Sequence, residues 1–140
     1  MFQVPAGTQA LQRTVYCNVD VTVGGESILV SIPNALGALV LKGAAYREDS
    51  RDRTRHLDDA AVLAATIKDP LAVVPELKGS DRSRIIGLKT ALDDPGHSSW
   101  LLIDDETART AGMDALRILA ANPQDFQPAR SRLRRGTPSP

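Results

Sequence analysis

Between Arg13 and Val23 apolar and polar residues alternate strictly. Val15, Cys17, Val19, Val21 and Val23 fall on one face, and Thr14, Tyr16, Asn18, Asp20 and Thr22 on the other. A period of two rich in β-branched residues predicts a half-buried strand. Gly24-Gly25 follows, and Ile28, Val30 and Ile32 then alternate again. A Gly-Gly pair supplies the positive φ of a tight turn, so residues 13–32 read as a β-hairpin. A lone hairpin is marginal in water and must pack on something. Pro33 ends it and suits the opening turn of a helix.

The pattern then changes to helical. Asn34 to Asp49 is rich in Ala and Leu, with Leu36, Leu39, Val40 and Gly43 on the apolar side. The elbow EDSRDRTR is too polar to be buried. Residues 55–68 predict a second helix with Ala60, Leu63, Ala64 and Ile67 inward, ended at Asp69-Pro70. Residues 71–78 fit a single helical turn. Ser80 reads as the cap of a third helix whose first turn carries Asp81. That helix presents Ile85, Leu88 and Leu92 and stops at Asp94-Pro95-Gly96. A short segment around Trp100 leads to Asp104-Asp105, which opens a fourth helix ended by Asn122-Pro123. Its predicted stripe is Ala108, Ala111, Ala115, Ile118 and Leu119. The expected architecture is α+β. One domain over residues 1–122 has its N-terminal hairpin packed on a bundle of four to five α-helices, spanning 34–121. Residues 123–140 lack periodicity, carry four arginines against Asp125, and read as a disordered basic tail.

Composition narrows the classes. A chain of 140 residues and 15.0 kDa holds one domain with a real core. Aromatics are only 4%, so Ala, Leu, Val and Ile must build that core. Zero net charge removes any global drive toward nucleic acid or membrane. The single cysteine, Cys17, allows no internal disulfide and reads as a buried strand thiol in a reducing compartment. No basic leader precedes an apolar run, and no run approaches the ~20 residues that span a bilayer. The expectation is a cytoplasmic protein without a membrane partner.

Charge concentrates beside apolar helix faces where the first two helices meet. Lys42, Arg47, His56, Asp58 and Asp59 gather there if the helices pack as an antiparallel pair. Three readings of that cluster stay open. It is an ion-pair network tying two helices together; a phosphate site with Lys42 and Arg47 on phosphate oxygens; or a metal site using His56 and Asp59, with His97 in a loop whose place the sequence does not set. Asp93-Asp94 and Asp104-Asp105 lie at helix ends, where capping accounts for them. Walker-type loops, dinucleotide fingerprints, CxxC pairs and nucleophile motifs are absent.

LGALVLKGAAYRE followed by RDRTRHLDDAAVLAA resembles the C-terminal part of bacterial nucleotidyltransferases of the AbiEii/AbiGii toxin type, within the polymerase-beta-like superfamily. Lys42, Ala45 and Arg47 approximate that family's third motif with compressed spacing; Arg55 and Asp59 match its fourth, with His56 where an acid is common. The likeness covers about residues 4–121 and includes GSDRSRIIGLKTALDDP. It implies that Lys42 and Arg47 face a triphosphate, while His56, Asp58 and Asp59 position them or the acceptor.

The family's metal-binding half has no counterpart here. No Gly-Ser turn precedes an Asp-x-Asp pair on a strand, and Gly79-Ser80 opens a helix instead. Asp20 is placed to pose as the third carboxylate, but the others would lie upstream of residue 1. Without such acids the machinery for two metal ions is missing. The resemblance therefore implies a truncated, AbiEii-like domain that is not catalytic by itself and needs no cofactor of its own. Mg and a nucleoside triphosphate would enter only on joining a catalytic half. The alternative is a non-enzymatic interaction module docking on a separately encoded catalytic half or an antitoxin-like partner, with nucleotide or RNA as a further ligand.

Overall fold

The computed structural model describes residues 14–21 and 24–126. The alternating stretch forms β1 (Thr14–Val21) and β2 (Glu26–Pro33), antiparallel, with Val15 opposite Ile32, Cys17 opposite Val30 and Val19 opposite Ile28. Gly24 and Gly25 make the turn at φ +103° and +67°, the left-handed geometry expected of them. Pro33 closes β2 and does not open the helix. Asn34 is the cap, its side chain accepting the Gly37 N–H at 2.9 Å.

Among the described residues six α-helices follow: α1 (Ala35–Glu48), α2 (Arg53–Thr66), α3 (Pro70–Val73), α4 (Asp81–Ala91), α5 (Ser98–Leu101) and α6 (Glu106–Ala120). Two 3-10 turns accompany them, at Val74–Glu76 and Pro123–Phe126. The α+β class is as expected. The four long helices match those read from periodicity, and α3 and α5 are single turns. Helix α2 begins two residues before the expected start and stops at Thr66, because Asp69-Pro70 forces the chain out early.

The core is helical. Helix α2 lies at its centre against α1, α5 and α6, while α4 bridges α1 and α6. Leu39, Val40, Ala60, Ala61, Ala64, Ile85, Leu88, Trp100, Ala115, Leu116 and Leu119 are essentially closed to solvent. Small residues let these helices approach closely. A Cβ on Gly43 would lie 2.8 Å from the Arg84 carbonyl oxygen, and one on Gly112 2.9 Å from Trp100 Cζ3. Trp100 fills the centre, its indole N–H donating to the Leu92 carbonyl at 2.9 Å.

Several local expectations need correction. Ser80 makes no side-chain cap. The neighbouring Asp81 is fully buried, accepts the Lys78 N–H at 2.9 Å and lies 3.7 Å from Arg84. On α6 the buried stripe is Gly112, Ala115, Leu116 and Leu119, and Ala111 is exposed. Pro123–Phe126 is ordered into a turn, with the Asn122 side chain accepting the Gln124 N–H at 3.2 Å. The rest of the expected tail, 127–140, lies outside the described residues, as do Arg13, Thr22 and Val23.

The hairpin departs furthest from expectation. Among the described side chains none from β1 or β2 enters the buried core. Val15, Val19 and Ile32 on the apolar face are 44%, 48% and 41% exposed, and Cys17 is only partly buried. No helix among the described residues is long and apolar enough to cross a membrane.

Candidate functional site at the α1–α2 elbow

Helix α1 ends at Asp49, whose N–H donates to the Ala45 carbonyl at 2.7 Å. Its carboxylate then organises the elbow. Asp49 Oδ1 accepts the Arg51 N–H at 2.8 Å, and Oδ2 lies 3.0 Å from His56 Nε2 in the first turns of α2. The Arg51 amide, and then the His56 ring, hold the Asp49 carboxyl below its ordinary value of 3.8. This geometry assigns the ring proton to Nε2. The other ring nitrogen, Nδ1, is buried without a hydrogen-bond partner. Arg53 stacks over Tyr46, 5.0 Å from the ring centroid.

The five residues singled out by sequence do not converge on one point. Lys42 pairs with Asp59 at 2.6 Å across the α1–α2 seam, their side chains 32% and 43% exposed. Arg47, five residues along the same helix, turns to α4 and donates to the Ser83 carbonyl at 3.1 Å and to its hydroxyl at 2.9 Å. Asp58 faces α5, accepting the Ser99 hydroxyl at 2.7 Å, and Ser99 is fully buried. His56 belongs to the elbow through Asp49. The two cations thus diverge toward different helices, and each has a protein acceptor. An exposed pair such as Lys42–Asp59 stabilises by only about 0–1 kcal/mol. These links tie α1 to α2, α1 to α4 and α2 to α5.

The remaining candidates lie apart. His97 caps α5, its Nδ1 accepting the Ser99 N–H at 3.1 Å. Asp20 pairs with Ser27 in the hairpin register. Arg55 is exposed at the start of α2. Asp105 caps α6, and Asp94 accepts the Gly96 N–H at 2.8 Å, the capping and turn roles expected of those acidic pairs. No three His, Cys, Asp or Glu among the described residues come together as a group that could hold a metal ion. An apolar groove of about 260 Å³ opens beside the base of β2, between Ala35, Leu36, Ile67, Ala72 and Val73. None of the five elbow residues lines it.

Asp49 shares a helical stripe with Lys42 through Tyr46 in the sequence, but its pairing with His56 was not legible, nor were Ser83 and Ser99, which find their partners across 36 and 41 residues of chain. No family model, curated protein or solved structure matches the chain.

Proposed function

We propose that this chain is a non-catalytic interaction module whose β-hairpin is the docking element and whose helical bundle is the scaffold. The observation that carries this reading is the exposed apolar face. Val15, Val19 and Ile32 stand between two-fifths and half exposed, while the bundle closes its core without them. A two-stranded hairpin gains little stability by itself in water. An apolar patch rimmed by polar residues and left out of a finished core marks an interaction surface. Dispersal of the elbow cations into interhelical links further supports a scaffold role for α1 and α2.

The test is apolar dye binding at high dilution, wild type beside the double variant Val19→Lys/Ile32→Lys. The expected result is strong anilinonaphthalene sulfonate fluorescence with wild type and little with the variant. Both should have the same far-ultraviolet dichroism and thermal midpoint. A wild type that binds no dye, or a variant whose bundle unfolds, sinks the reading.

A second reading keeps the helical half of an AbiEii-like nucleotidyltransferase, with Lys42 as its phosphate-facing cation. Its support is that Lys42 is one-third exposed and paired with a single, more exposed carboxylate that a ligand phosphate can replace. Titration with adenosine triphosphate and Mg²⁺ decides it. Binding lost in Lys42→Ala with the fold intact supports that reading, and absent or unchanged binding removes it.

A further inference from the structure

We draw no further inference here: the strongest candidate, the apolar groove of about 260 Å³ between the start of α1, the end of α2 and α3, has the opposite charges of Lys68 and Asp69 side by side at its rim, and nothing in the structure shows what covers it.

Discussion

At the scale of single residues, buried polar groups and one tryptophan carry more of the structure than the exposed charges do. Trp100 is fully enclosed, and its only polar atom is satisfied by the carbonyl at the end of α4. Trp100→Phe should cost about 2–4 kcal/mol in chemical denaturation, by leaving the Leu92 carbonyl without that donor and the ring's space partly unfilled. Lys42→Ala should cost less than about 1 kcal/mol, because its pair with Asp59 is largely solvated. Asp49 makes a pH-dependent contribution whose sign follows from its lowered titration. The folded state favours the carboxylate, so the stabilisation is complete above the ordinary range near 3.8 and is lost as pH falls through the lower folded-state value. Wild type should therefore exceed Asp49→Asn in thermal midpoint at neutral pH, with the gap closing in strong acid. A constant gap would show that the Arg51 amide and His56 do not hold the charged form.

At the scale of elements, glycines report where helices touch. Gly43 sits where α1 crosses the Arg84 backbone, and a methyl there meets a carbonyl oxygen at 2.8 Å. Gly87 lies inside α4 with open space where its side chain would be. Gly43→Ala should destabilise by about 1–3 kcal/mol despite better helix propensity. Gly87→Ala should stabilise by up to about 1 kcal/mol. Urea midpoints for the two variants, read side by side, separate close packing from propensity. The same close packing explains the misplaced stripe on α6. Counting Ala108, Ala111 and Ile118 as the inward line treats Gly112 as neutral. In the fold, Gly112 is the residue over which α6 passes Ala65 and Trp100, which rotates the buried line to Gly112, Ala115, Leu116 and Leu119. On helix α1 the expected apolar side, Leu36, Leu39, Val40 and Gly43, is buried as read, and packing adds Gly37 and Ala44 to it.

At the scale of the whole molecule, local signals were enough for the elements and their order. Alternation with Gly24-Gly25 determined the hairpin, Asp104-Asp105 announced a helix start, and Asp69-Pro70 and Asn122-Pro123 announced stops, because each acts through its own backbone within a few residues. The elbow cluster was legible only as a concentration of charge. Sequence spacing brings Lys42, Arg47, His56, Asp58 and Asp59 to one end of a helix pair, but does not say which neighbour each side chain meets. That depends on α4 and α5 packing against the pair, which places Ser83 beside Arg47 and Ser99 beside Asp58. The role of Trp100 was hidden for the same reason, since a short segment between breaks shows no period. The amino-acid sequence by itself determined the secondary structure and its class, since propensity, capping and turn chemistry are short-range. Tertiary structure alone decided that the charges become interhelical links and that the apolar hairpin face stays outside the core. Both outcomes depend on which distant surfaces meet and bury one another.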